Sequence, residues 1–201
     1  MCLLHREHPD KIGSIGNRGV LFVEMEVVDE RGEQCASGEA GEIRLRGEGT
    51  MKRYYNNPEA TAETIRDGWV YTGDIARVDE DGFLWMIDRK KDVMITGGVN
   101  VYPKEIEQLL ERHPSIGEVA VVGLPHPEWG ETVTAYVVLK PGVDTNREWL
   151  KEIQGSLRGH LADYKLPRQV NIVPSLPRNT SGKVLKHVLR DVSSQKEVEL
   201  R

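Results

Sequence analysis

The chain has 201 residues, 38% hydrophobic and 29% charged, enough for one sizeable core or two small ones. Its 27 basic and 32 acidic residues give a formal net charge of -5, which leaves no strong positive field for holding a phosphate backbone, so no nucleic-acid partner is expected. Cys2 and Cys35 sit in no CxxC or CxxxH spacing, MCLLHREHPDK has no apolar run of signal-peptide length, and no stretch approaches the roughly 20 apolar residues of a membrane span; a cytoplasmic chain without disulfide framework, zinc site or integral membrane segment is expected.

From Gly19 to Leu84 the signals are those of short strands. VLFVEMEVV closes on the turn DERG, EIRLR alternates Ile43 and Leu45 against charge, and IARVDEDGFLWMI reads as a hairpin around Asp81-Gly82. One helix interrupts them, with Asn57 as N-cap, Pro58 at its first position, Glu59 in its first turn, and Ala60 to Arg66 following. The run Asp88-Arg89-Lys90-Lys91-Asp92 carries nothing suited to a core, and beyond it strands alternate with helices, which places a domain boundary there. Pro103 opens a helix with Ile106, Leu109 and Leu110 on one face, and GEVAVVG and TVTAYVVLK read as strands. Leu150, Ile153, Leu157 and Leu161 recur at helical spacing, QVNIV is a strand, VLKHVLRDV is a final helix, and SSQKEVELR is a frayed tail.

Three constellations could carry chemistry. In PRNTSGKVL, Lys183 follows a loop rich in turn residues and precedes a helix, which puts an ammonium on a mobile tip; the string lacks the first Gly and the Ser/Thr of a P-loop, and a solvated surface lysine is the plain alternative. In GWVYTGD, Gly73 permits a tight turn that delivers Asp74 just before a strand, where an ionised carboxylate could accept both hydroxyls of a ribose or simply close an Asx-turn. In DRKKDVMITGGVNVYPKEIE, Arg89 could offer its planar fork to ribose or phosphate oxygens, and Gly97-Gly98 marks a point of close approach; a charged linker followed by a hairpin turn is the alternative.

Taken in order, GEIRLRG with YYNNPEAT, DGWVYTGD, DRKKDVMITGGVNVYPKEIE, EVAVVGLPHPEWGE and LPRNTSGKVLK resemble the successive late motifs of the superfamily that contains acyl-CoA synthetases, firefly luciferase and nonribosomal-peptide adenylation domains, over about Gly13 to Asp191. The wording of ITGGVNVYPKEIE and GLPHPEWGE is closer to the acyl- and aryl-CoA synthetases. The resemblance implies an α+β to α/β fold: residues 1–88 as the β-rich end of a large adenylating domain, 89–91 as a hinge, 92–195 as a mobile α/β domain with a short mixed sheet, and 196–201 as a tail. It implies a two-step reaction, in which a carboxylate attacks the α-phosphate of ATP and the thiol of CoA then displaces AMP. Lys183 would steady charge on the α-phosphate, Asp74 and Arg89 would hold the AMP ribose, Lys91 would lie at the hinge, and Gly97-Gly98 would line the pantetheine tunnel.

The phosphate-binding loop, the acid pocket and the motif supplying the Mg2+-binding glutamate should precede Gly13, and no string here matches them. The chain is therefore expected to be part of an acid-CoA ligase, inactive alone, with ATP, Mg2+ and CoA used by the whole and no metal ligand in this part. A fatty or related acid is the expected substrate by tone of resemblance. The alternatives are an adenylation domain that loads a carrier-protein thiol, and a non-catalytic binding module.

Overall fold

The computed structural model describes residues 7–17, 22–143 and 147–193. Val20 and Leu21 of the first predicted strand, and the tail from residue 194, lie outside the described residues, as does the side chain of Leu150. The chain is a β-rich α+β structure that divides into two compact units, Met1–Lys91 and Asp92–Arg201.

The first unit holds β1 (Val23–Val28), β2 (Ala40–Gly47), α1 (Pro58–Thr64), β3 (Ile65–Arg66), β4 (Trp69–Val78) and β5 (Leu84–Arg89). All pairings are antiparallel: β1 on β2, β2 on β4, and both β3 and β5 on β4. One face of this sheet buries Val27, Ile43, Ala76 and Leu84. The other carries the charges of EIRLR: Arg44 and Arg46 pair with Glu26 and Glu24 at 2.6 Å each, and their guanidinium groups lie 4.4 and 4.3 Å from the centroid of Trp69. Alternation in β2 thus separates an aliphatic face from a cation-π face.

The helix predicted to reach Arg66 stops at Thr64. Asn57 caps it as expected, Oδ1 accepting from the Ala60 amide at 3.0 Å, but Ile65 and Arg66 turn extended and pair with Val70 and Trp69. Asp67 and Gly68 have φ of 51° and 80°, the two positive values of the tight turn that Asp-Gly favours, so hairpin chemistry overrides helix propagation.

The second unit holds β6 (Met94–Thr96), β7 (Val99–Val101), α2 (Pro103–Leu110), β8 (Ile116–His126), β9 (Gly130–Leu139), α3 (Arg147–Leu157), β10 (Gln169–Ile172) and α4 (Lys186–Ser193). Its sheet is mixed: β10 runs parallel to β9, and the other pairs are antiparallel. β8 and β9 are covered on both faces, which is why they read as near-continuous apolar runs. Val119, Val121, Val133, Ala135 and Val137 face Ile106, Leu110, Trp149, Ile153 and Leu157 from α2 and α3. Ala120, Val122, Leu124 and Tyr136 face Leu176 and, on α4, Leu189.

Two helix limits in this unit differ from expectation. Leu161 is buried in the same core as Ile153 and Leu157, yet α3 ends at Leu157, with Gly159 at φ 89° redirecting the chain. The final helix begins at Lys186, because Val184 is bridged to Arg178 and the Leu185 amide donates to Pro177 O at 2.8 Å. Among the described residues no helix is long and apolar enough to cross a membrane.

Candidate functional site

In the first unit, Asp74 lies inside β4, where the sequence suggested a turn before a strand. Glu42 faces Ile75 and Arg44 faces Tyr71, so Thr72, Gly73 and Asp74 bulge opposite Ile43. Gly73 has φ 72°, a value that favours glycine, and the bulge is held from both sides. The Thr72 hydroxyl donates to Ile43 O at 2.8 Å while its oxygen accepts from the Asp74 amide at 3.1 Å. The Gly73 amide donates to Glu42 Oε1 at 3.0 Å.

This bulge sets Asp74 opposite Arg89, the last residue of β5, and Arg89 Nε lies 2.9 Å from Asp74 Oδ1. Both side chains are partly exposed, at 34% and 48%, and Asp74 Oδ2 has no partner among the described residues, so it remains free to accept further hydroxyls. Sequence reasoning paired Asp74 with Arg89 but missed Glu42. That carboxylate, with only 8% of its side chain exposed, holds the bulge through Oε1 and Lys90 Nζ through Oε2 at 2.8 Å. No sequence signal marks it: Glu42 alternates with Arg44 and Arg46 on the charged parity of the strand.

The charged run is shared between the units rather than forming one featureless linker. Arg89 belongs to β5 and Lys90 is tied to Glu42, whereas Asp92, the last residue of the 3-10 turn Lys90–Asp92, accepts from Arg190 of α4 at 3.3 Å. Among the described residues the exposed side chain of Lys91 makes no ion pair.

In the second unit, Gly97 and Gly98 join β6 to β7 as a two-residue turn with φ of 58° and 80°. A Cβ at Gly97 would meet the Trp129 ring at 3.2 Å, whereas one at Gly98 would meet nothing within 4 Å. The Gly97 amide also donates to Trp129 O at 2.9 Å, and the Arg168 guanidinium lies 4.8 Å from the Trp129 ring centroid.

Lys183 is exposed, as expected, and its backbone is hydrogen-bonded into a turn. The Asn179 amide donates to Lys183 O at 3.0 Å and the Gly182 amide to Asn179 O at 2.9 Å, closing a small hairpin whose Gly182 has φ 80°. Asn179 Oδ1 accepts from the amides of Ser181 and Lys183 at 3.1 and 2.9 Å and from the Ser181 hydroxyl at 2.8 Å. The reason is Asx-turn chemistry, which supplies the loop with the backbone partners that a strand would otherwise provide. Behind it, α4 is moored by Lys186 to the buried Glu107 at 2.7 Å, and Glu107 Oε1 also accepts from the Val121 amide at 2.9 Å.

Among the described residues no group of three or more His, Cys, Asp or Glu is placed to hold a metal ion.

The comparisons with known proteins agree with this fold. Residues 105–183 match the AMP-binding enzyme C-terminal domain. The chain is 42% identical over 187 residues to the 2-succinylbenzoate–CoA ligase of Geobacillus sp. (strain WCH70), covering 93% of this chain and 37% of that protein. It is 43% identical over 169 residues to the fatty acid–[acyl-carrier-protein] ligase ScoC of Streptomyces coeruleorubidus, covering 84% of this chain and 32% of that protein. The o-succinylbenzoate CoA synthetase (MenE) of Bacillus subtilis, in complex with its acyl-adenylate intermediate, superposes with a TM-score of 0.84 at 35% identity, over 94% of this chain and 38% of that one. The chain thus spans about a third of the length of the relatives it matches. It belongs to the adenylate-forming superfamily that includes the acyl-CoA ligases, and its residues 105–183 form an AMP-binding enzyme C-terminal domain.

Proposed function

We propose that this chain supplies the AMP-ribose contacts and the mobile catalytic domain of an ATP-dependent carboxylic acid–CoA ligase. The observation that carries the reading is that the AMP-binding C-terminal domain ends at Lys183, whose exposed side chain is presented from a hydrogen-bonded hairpin. In the first half-reaction a carboxylate oxygen bonds to the α-phosphorus of ATP and the bond to pyrophosphate breaks. Lys183 lowers the barrier by placing a positive charge where negative charge gathers on the phosphate and the attacking carboxylate. Asp74, oriented by Arg89, accepts the ribose hydroxyls. In the second half-reaction the CoA sulfur attacks the acyl carbon and AMP leaves, with pantetheine passing the Gly97-Gly98 turn. Between the two, the second unit turns about Lys91, the residue between Lys90, tied to Glu42, and Asp92, tied to Arg190. Mg2+ would neutralise phosphate charge through ligands in the rest of such an enzyme. A fatty or related acid is the proposed substrate.

A second reading, transfer to a carrier-protein thiol, is favoured by the likeness to a fatty acid–[acyl-carrier-protein] ligase. It shares the first half-reaction and differs in the acceptor, so comparing CoA with a phosphopantetheinylated carrier protein separates the two. The test of the shared chemistry is Lys183→Ala in a full-length ligase containing this chain, assayed with a panel of fatty and aromatic acids. Acyl-adenylate formation should fall by roughly 10² or more, and transfer from preformed acyl-adenylate should change far less. Equal losses in both halves would point to a structural role for Lys183 and against the reading.

A further inference from the structure

Among the described residues one five-residue hairpin recurs three times. In Asp29–Glu33, Asp79–Phe83 and Asn179–Lys183 the first residue's amide donates to the carbonyl of the fifth, at 2.9, 2.9 and 3.0 Å, and the glycine at the fourth position donates back, at 3.1, 3.0 and 2.9 Å. In each, Oδ1 of the first residue accepts the amides of the third and fifth residues. Gly32, Gly82 and Gly182 have φ of 84°, 82° and 80°.

The third copy differs in two respects. Its first residue is the neutral Asn179, where the others carry Asp. It also gains a second grip, since Arg178 Nη1 donates to Gly182 O at 2.6 Å while the same guanidinium pairs with Glu118 of β8. The peptide between Gly182 and Lys183 is therefore held at both its polar atoms, carbonyl by Arg178 and amide by Asn179. Among the described residues no side chain holds the carbonyl of Gly32 or Gly82. All of this lies on the surface, with Arg178, Asn179 and Lys183 exposed, where apolar burial cannot fix the backbone. A neutral acceptor also matters here: an aspartate at position 179 would add a negative charge beside an ammonium required to meet a polyanion.

We propose that Arg178 and Asn179 are positioning residues that clamp the Gly182–Lys183 peptide and so fix the origin of the Lys183 side chain. This rests on the adenylating role proposed for Lys183. A long flexible side chain reaches a given point productively only if its root is stationary, and a misplacement of about 1 Å can cost on the order of 10² in rate.

The test has two arms. In this chain, hydrogen exchange at the Lys183 amide should quicken at least about tenfold in Asn179→Ala and return toward the parent rate in Asn179→Asp, which keeps the acceptor that Asp29 and Asp79 provide in the sister hairpins. In a full-length ligase containing the chain, Asn179→Ala should lower kcat for acyl-adenylate formation by about 10- to 100-fold. KM for the acid should stay within about twofold, thioester formation from preformed adenylate should be spared, and Asn179→Ser should recover part of the loss. Unchanged exchange at the Lys183 amide overturns the clamp. So does adenylation within about twofold of the parent in Asn179→Ala when Lys183→Ala loses roughly 10² or more, an outcome that leaves the proposed function standing. If Lys183→Ala is itself silent, the function and the clamp fall together.

Discussion

The buried carboxylate of Glu107 tests how the helix behind the Lys183 hairpin is held. Its Oε1 accepts both the Val121 amide at 2.9 Å and Lys186 Nζ at 2.7 Å, and only 8% of the Glu107 and 16% of the Lys186 side chain is exposed. Glu107→Ala leaves the Val121 amide without an acceptor inside β8, a loss of about 1–3 kcal/mol, and strands an ammonium whose burial without a partner costs about 3–5 kcal/mol. Lys186 can swing toward water, so the two do not add in full, and about 3 kcal/mol is expected. This is a large share of the roughly 5–15 kcal/mol that holds a domain together. Glu107→Gln keeps an acceptor for Val121 and should cost about half as much. Combined with Lys186→Met it should approach parental stability, because the buried charge is gone from both sides. The assay is native-state hydrogen exchange at Val121, Val133 and Ala135, fully buried strand residues that report opening of the second unit. Their protection should fall about 100-fold in Glu107→Ala, at about 1.4 kcal/mol per tenfold. A loss under about 1 kcal/mol would mean the pair behaves as an exposed one, and the burial argument would be wrong.

Other outcomes follow from the same geometry. Lys91→Pro, which fixes φ near about -65° at the proposed pivot, should spare acyl-adenylate formation and suppress thioester formation in a full-length ligase, and unchanged CoA transfer would place the pivot elsewhere. Gly98→Trp should block transfer to CoA without affecting adenylation, and the space beside Gly98 makes it a better probe than Gly97, whose Cβ would press on Trp129; equal loss of both halves would indicate misfolding of the turn. Burial alone would raise the pKa of Asp79, but the Trp85 indole, the Lys11 ammonium and the Phe83 amide together bring it down from 3.8 to about 2. A group depressed on folding contributes stability above its unfolded value that is lost as pH falls, so acid titration followed by Trp85 fluorescence should show weakening of the first unit between about pH 4 and 2, absent in Asp79→Asn. The purified 201-residue chain with ATP, Mg2+ and acids should release no pyrophosphate above background, and an acid-dependent signal would refute its dependence on further sequence.

Glycine and proline signals located the turns well, because they act through local sterics. Pro58 and Pro103 open α1 and α2, and Asp81-Gly82 and Gly97-Gly98 lie at hairpin ends. Asp67-Gly68 carried the same signal, and weighing it would have ended α1 before Ile65. Helix limits near Leu161 and Val184 were not legible, since an apolar residue at helical spacing is equally at home in a loop that folds back on the same core.

By itself the sequence marked Asp74, Arg89 and Lys183 as candidates for chemistry, and it placed the change from strands to alternating strands and helices near residue 90, because composition, periodicity and motif order are local properties. Only the tertiary structure decided what holds those residues. Glu42 reaches Gly73 and Lys90, Glu107 reaches Val121 and Lys186, and Arg178 reaches Glu118, in each case joining positions far apart in the chain. A carboxylate in a strand or helix looks the same in sequence whether solvated or buried. Its partners are set by strand register and helix docking, which settle which charges leave water together and must therefore be paired.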